Sequence, residues 1–288
     1  MIRKAVIPAA GFGTRVLPMT KAVPKEMLPI VDKPSIQYIV EECVKSGITD
    51  ILIITSRGKE AIENHFDKSP ELETALNKPG KESLLEQIKG ISQLANIYFL
   101  RQKEAKGLGH AILCAKEFTG DEPFVVLYPD DVIFGEKPVA LQLIEAYNQY
   151  GKACVGIKQV AADAISKYSS LKVDNIGGNV YSVTDMIEKP KKGEEFSLYS
   201  ILGRCLLTKD IYTILEQTKP GAGGEIQLTD AMAVMAREGK MNGVDFVGKR
   251  YDMGNKLGVL MANVEQGLRH EEIGADFARY LKDFVRKL

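Results

Sequence analysis

Ala5-Val6-Ile7-Pro8-Ala9-Ala10-Gly11-Phe12-Gly13-Thr14-Arg15, continuing to Pro24-Lys25-Glu26-Met27-Leu28-Pro29, is the stretch on which the fold turns. Ala5, Val6 and Ile7 read as a short buried strand that empties into a loop of small residues. Without bulky side chains, successive backbone N–H groups can close around an anion. Arg15 and Lys25 downstream supply the cations that a polyphosphate needs. Two familiar phosphate loops are excluded. The dinucleotide fingerprint requires a third glycine where Val16 stands, and no G-x-x-x-x-G-K-[ST] run occurs.

Working outward, apolar runs alternate with helical patterns. Ile36, Ile39, Val40, Cys43 and Val44 recur at helical spacing after Pro34-Ser35, and Gly47 stops them. Ile51–Ile54, Ile97–Leu100 and Phe124–Leu127 read as buried strands, and Gly109–Phe118 supplies a helix before the last of them. Such alternation predicts βαβ units and a Rossmann-like, mainly parallel (mixed) α/β sheet flanked by helices. Gly11, Gln102 and Asp130 each follow such a run, so the three converge on the carboxyl rim, where open α/β sheets bind ligands. From about 152 to 207 the pattern changes. Gly177-Gly178-Asn179 is a hairpin signal, and the region reads as antiparallel structure walling the site. The segment 68–90 reads as a loop or a helical insertion. Helical stripes close the chain, one through Leu257, Leu260, Met261 and Val264, the other through Ile273, Phe277, Tyr280, Leu281, Phe284 and Leu288.

The composition is that of an ordinary enzyme. The 288 residues carry 38 Lys+Arg against 38 Asp+Glu, so no global field favours nucleic acid or an anionic membrane. The cysteines are widely spaced with no C-x-x-C, against zinc and a disulfide framework. No apolar run approaches the ~20 residues of a spanning helix, and no signal-peptide region precedes the first strand, so a cytoplasmic protein is expected. His65, His110 and His270 lack ligand spacing. No Ser-His-Asp or Cys-His set can be argued.

The G-x-G-T-R loop at Gly11–Arg15 and the P-K-x-x-x-P at Pro24–Pro29 resemble the sugar-1-phosphate nucleotidyltransferases. So do Gln102 with Lys106-Gly107-Leu108-Gly109-His110-Ala111, Pro129-Asp130-Asp131 and Glu188-Lys189-Pro190. Two further blocks, Gly221–Asp230 and Asp252–Gly258, are similar to the bacterial UTP–glucose-1-phosphate uridylyltransferase branch. The likeness runs in order along essentially the whole chain. It implies one domain over 1–288, with a nucleotide part (1–150), a sugar part (151–250) and C-terminal helices (251–288) that could pack inward or form a subunit contact.

The resemblance also implies the reaction. Glucose 1-phosphate attacks the α-phosphorus of UTP in line, giving UDP-glucose and pyrophosphate with Mg²⁺ and no covalent intermediate. Arg15, Lys25, Asp130 and Lys189 are the implied catalytic residues, the first two gripping the β- and γ-phosphates. Asp130 is the implied metal ligand. Asp252 is a second carboxylate near it or the N-cap of the following helix, and Asp131 is structural or stands behind the metal ligand. Ala9, Ala10, Gly11, Gly13, Thr14, Glu26, Gln102 and Gly107 are the nucleotide-site candidates, with Gln102 and Gly107 on the uracil edge. Glu188 would bind sugar hydroxyls, Lys189 the sugar phosphate, and Gly203 would admit the glucose ring. Each motif has a plainer reading: a tight turn for Gly11 and Gly13, an acidic turn pair for Asp130-Asp131, a charged strand end for Glu188-Lys189. Relatives being dimers or tetramers, a homodimer or homotetramer is implied. Ser169 departs from the pattern, which has glycine after the tyrosine at Tyr168. The alternatives are a dTTP- or other-sugar-specific enzyme, or a non-catalytic nucleotide-sugar-binding regulatory subunit.

Overall fold

The computed structural model describes residues 2–287, so Leu288 of the second C-terminal stripe lies outside the described residues. A nine-stranded sheet crosses the molecule. Its strands lie in the order Asn96–Arg101, Asp50–Thr55, Lys4–Pro8, Phe124–Leu127, Tyr199–Leu207, Ala153–Gln159, Met241–Asp245, Val180–Glu188 and Ser169–Gly177. Only Tyr199–Leu207 and Val180–Glu188 run against the rest. The sheet is therefore mixed and mostly parallel.

The apolar runs are continuous because both faces of the central strands are covered. Ala5, Ile7, Ile51 and Ile53 point to one face, where Ile36, Ile39, Val40 and Cys43 of helix Ser35–Lys45 join them. Val6, Leu52, Ile54 and Phe124 point to the other, against Ile112, Leu215 and Met232. One strand departs from the expectation. Among the described residues Asn96–Arg101 pairs only with Asp50–Thr55, and at this edge Tyr98 and Leu100 are exposed. An apolar run alone cannot separate an edge strand from a central one.

The expected hairpin is present, with Ser169–Gly177 antiparallel to Val180–Glu188 around Gly178-Asn179. The region is less uniformly antiparallel than its pattern suggested, because Ala153–Gln159 pairs in parallel with Met241–Asp245. The polar segment 68–90 is a helical insertion, Pro70–Leu76 and Glu82–Ile91. Gly109–Phe118 forms two short helices, Leu108–Leu113 and Lys116–Thr119, rather than one.

An ion pair is buried under the rim. Arg204 is fully buried and meets Glu42 through Nε–Oε1 (2.9 Å) and Nη2–Oε2 (2.6 Å), while Nη1 donates to the Gly203 carbonyl at 2.8 Å. Glu42 Oε1 also accepts from the Ala140 amide at 3.0 Å. One carboxylate thus ties two helices to the strand that underlies the site. The last helices, Lys256–Gly267 and Gly274–Val285, keep Leu257, Leu260, Met261, Tyr280 and Phe284 exposed. No helix among the described residues is long and apolar enough to cross a membrane.

Candidate active site

Parallel strands end together at one rim. The Ala9 amide bonds the Ile54 carbonyl and the Gln102 amide the Thr55 carbonyl, both at 2.8 Å, so the small-residue loop and Gln102 sit side by side. In that loop Gly13 has φ +67°, and a Cβ there would stand 3.1 Å from the Lys25 Cβ. The glycine lets the Lys25 stem pass beneath the loop.

Two adjoining clefts open on the rim. One, of about 360 Å³, is lined by Ala10, Gly11, Thr14, Lys25, Gln102 and Gly107. The other, of about 890 Å³, is lined by Arg15, Glu188, Lys189, Ser169 and Arg250. Asp130 borders both. On its Oδ2 converge Lys25 Nζ at 2.8 Å and Arg15 Nη2 at 3.2 Å, and Arg15 Nη1 lies 3.7 Å from Asp252 Oδ2. Burial opposes ionisation of Asp130, but Lys25 and Arg15 outweigh it and hold the carboxyl below its ordinary range. Burial likewise works against the Lys25 ammonium, and Asp130 and Glu26 overcome it, so Lys25 stays a firm cation.

A Cβ on Gly254 would fall 2.9 Å from Asp130 Oδ2 and 2.9 Å from Asp252 Oδ1. Two hard oxygens therefore face one small space that only a glycine leaves open, and the Arg15 guanidinium reaches into it between them. Such a pair suits Mg²⁺, which takes one or two carboxylates and completes its shell with water and substrate phosphate. Among the described residues no cluster of three or more His, Cys, Asp or Glu forms a fuller cage. Asp252 does not cap the next helix. Its Oδ1 accepts from the Gly254 amide at 2.8 Å, whereas Asn255 caps by accepting from Gly258 at 2.7 Å.

Asp131 turns away from its neighbour. Its Oδ1 takes Arg250 Nε at 2.6 Å and Nη2 at 2.5 Å. Burial pushes this carboxyl up to about 6, Arg250 opposing and Asp130 adding to it. Gly203 makes room for Asp131: at φ +77°, its missing Cβ would lie 2.6 Å from the Asp131 Cβ. Glu26 is off the wall. It is buried, with both oxygens on Lys59 Nζ (2.9 and 2.8 Å), and Lys59 also donates to the Ala9 carbonyl. Burial lowers the Lys59 pKa, and Glu26 opposes the shift. The pair anchors the loop from below.

On the wider cleft Glu188 Oε2 accepts from Thr229 Oγ1 at 2.8 Å, and Lys189 Nζ stands 3.9 Å from Glu188 Oε1. Ser169, where the family pattern has glycine, is buried. Its Oγ accepts from the Ile201 amide at 3.1 Å and pairs with Ser200 Oγ at 3.2 Å. Across the narrower cleft, the Ile226 amide bonds the Lys106 carbonyl and the Gly109 amide bonds the Ile226 carbonyl, both at 2.8 Å. Block 221–230 therefore acts on the narrower cleft through the Ile226 backbone, which side-chain reasoning could not see, and on the wider one through Thr229. Arg250 and Lys59 were missed as well. The one available signal was that Arg250 and Asp252, two apart on a strand, share a face.

A charged rim between two clefts, on a mostly parallel α/β sheet, defines a nucleotide-handling enzyme. The chain belongs to the nucleotidyl transferase family, whose model matches residues 4–266. It is 49% identical over 286 residues to a UTP–glucose-1-phosphate uridylyltransferase of Bacillus subtilis (strain 168), covering 99% of this chain and 96% of that one. A UTP–glucose-1-phosphate uridylyltransferase of Staphylococcus epidermidis is 47% identical, over 100% of this chain and 98% of its own length. Among solved structures, a UDP-glucose pyrophosphorylase complexed with UDP-glucose superposes with a TM-score of 0.85 at 41% identity, covering 94% of this chain and 100% of that one. The UTP-bound enzyme from Acinetobacter baumannii does so with a TM-score of 0.90 at 37% identity, covering 98% and 99%.

Proposed function

We infer that this protein transfers the uridylyl group of UTP to glucose 1-phosphate, releasing pyrophosphate and forming UDP-glucose. The observation that carries the reading is the position of Asp130, at the junction of two clefts with Lys25 and Arg15 on the same oxygen. A nucleotide in the narrower cleft and a sugar phosphate in the wider one would meet there. Near-complete relatives at 47% and 49% identity bear the name of this activity.

The nucleotide lies along Ala9, Ala10, Gly11 and Thr14 with its base against Gln102 and Gly107. Arg15 and Lys25 neutralise the β- and γ-phosphates, whose oxygens gain charge as the P–O bond breaks. Glu188, steadied by Thr229, accepts hydrogen bonds from sugar hydroxyls. Lys189 offsets the repulsion between the two anionic reactants. The attacking phosphate oxygen is already anionic near neutral pH, so no general base is required. Asp130 and Asp252 are the ligands we assign to Mg²⁺, which when bound supplies Lewis-acid neutralisation at the reacting phosphate. The charge network of the free site holds Asp130 ionised in readiness.

We assign the first half of the sheet to the nucleotide and the 151–250 region to the sugar, within one catalytic domain. The exposed apolar stripes of residues 251–288 support a homodimer or homotetramer, and the protein is assigned to the cytoplasm without a nucleic-acid or membrane partner. Pyrophosphate release with glucose 1-phosphate, run against UTP, dTTP, CTP, GTP and ATP with and without EDTA, tests the reading. Strong, EDTA-sensitive preference for UTP is expected. Equal rates with dTTP would widen the specificity, and nucleotide-sugar binding without turnover would make the protein a regulator.

A further inference from the structure

The amide of Gln102 has unusually little freedom. Its Nε2 lies 3.2 Å from the Gly107 carbonyl and 2.8 Å from His110 Nδ1. A carbonyl oxygen only accepts, so the amide atom beside it is the NH₂ group, and the ring nitrogen beside that NH₂ must accept as well. His110 is thereby held in the neutral tautomer that carries its proton on Nε2. Both N–H groups of the amide are consumed. Among the described residues Gln102 Oε1 accepts no hydrogen bond, and it is not among the sealed, unsatisfied polar atoms of the chain, while Gln102 lines the narrower cleft. The side chain can offer a base one thing, a hydrogen-bond acceptor.

We propose that His110 is a positioning residue for base selection: it locks Gln102 so that only Oε1 faces the base, which admits a pyrimidine with an N3–H donor and rejects one whose N3 is an acceptor. This rests on the uridylyl-transfer reading above and deepens it. Uracil presents N3–H to Oε1, whereas cytosine would set its N3 lone pair against that oxygen. Were the amide free to rotate by half a turn, its NH₂ would suit cytosine and the discrimination would shrink. Two acceptors on Nε2 oppose that rotation, since it would place Oε1 against the Gly107 oxygen and the His110 lone pair. The lock does not distinguish uracil from thymine, because both carry N3–H.

The backbone around the lock is equally constrained. Gly107 has φ +95°, and a Cβ there would lie 2.8 Å from the Ile226 carbonyl oxygen. Its own carbonyl therefore has little latitude to follow a rotating amide. A site whose polar groups mismatch a ligand can discriminate by up to about 10⁴-fold, so the orientation of one amide is enough to matter.

The experiment compares kcat/KM for UTP and CTP, with glucose 1-phosphate, in the wild type, His110→Leu and His110→Gln. Leucine removes the acceptor, and glutamine can return one through its carbonyl. The UTP-to-CTP ratio is expected to fall about tenfold in His110→Leu, one hydrogen bond's worth, and to recover in His110→Gln. A purely structural role for His110 would depress both substrates together and leave the ratio unmoved. That result, in a protein still selective as wild type, would overturn the inference alone, whereas a wild type showing no preference for UTP would overturn the uridylyl reading itself. Should His110→Leu fail to fold, ¹⁵N spectroscopy of the wild-type imidazole decides: protonated Nε2 with accepting Nδ1 is expected, and a proton on Nδ1 would refute the lock.

Discussion

Replacing Glu42 by Gln preserves shape and removes one charge from the buried pair with Arg204. Glu42 Oε1 receives both the Ala140 amide (3.0 Å) and Arg204 Nε (2.9 Å), and Oε2 receives Arg204 Nη2 (2.6 Å). Every neighbour is a donor, so whichever way the new amide turns, its NH₂ faces another N–H. Arg204 is fully buried and has no water to turn to. Breaking a buried pair by removing one partner costs about 3–5 kcal/mol, against a total stability of roughly 5–15 kcal/mol. At about 2–4 °C per kcal/mol for a chain of this size class, Tm should drop by roughly 6–20 °C. Calorimetry of the variant is the direct assay. Arg204 also holds the Gly203 carbonyl, to which the Tyr128 amide bonds at 2.8 Å just before Asp130, so turnover should fall with stability. The double change Glu42→Leu with Arg204→Met, which leaves no unpaired charge, should recover part of the loss. A Glu42→Gln protein within about 2 °C of wild type would refute the claim that this pair fastens the helices beneath the site.

Lys25→Met should reduce kcat by about 10²–10³, the effect of deleting one preorganised charge partner, measured by initial rates of pyrophosphate release. Gly107→Ala meets two penalties, a backbone at φ +95° and a Cβ 2.7 Å from that of Glu225. With about 1–3 kcal/mol for such a conformation and a comparable overpacking cost, KM for UTP should rise at least about tenfold, read by saturation kinetics. Thr229→Val strips Glu188 of its 2.8 Å partner, so KM for glucose 1-phosphate should rise while UTP affinity, measured by calorimetric titration, stays near wild type.

The central strands were legible because covering both faces of a parallel sheet forces uninterrupted apolar runs, as at Ala5–Ile7 and Phe124–Leu127. The same logic misassigned Ile97–Leu100, since hydrophobicity records what a strand packs against and not how many neighbours it pairs with. Gly11, Gln102 and Asp130 could be brought together in advance because each follows a strand whose end lies on one rim. What stayed hidden were the supports. The partnership of Glu26 with Lys59, or of Asp131 with Arg250, joins residues 33 and 119 positions apart, and local spacing carries no trace of it. Gly203, expected to make room for a sugar, has Asp131 packed where its Cβ would stand. A glycine announces that something comes close without saying what. Part of what block 221–230 does runs through the amide and carbonyl of Ile226, groups every residue possesses.

The most direct measurement is a single-turnover reaction of the enzyme with UTP and Mg²⁺, followed for pyrophosphate with and without glucose 1-phosphate. Direct displacement at the Asp130 junction predicts that pyrophosphate and UDP-glucose appear together, in equal amounts, and only when the sugar phosphate is present. A burst of pyrophosphate before glucose 1-phosphate is added would reveal a uridylylated protein and contradict the account, as would the absence of UDP-glucose.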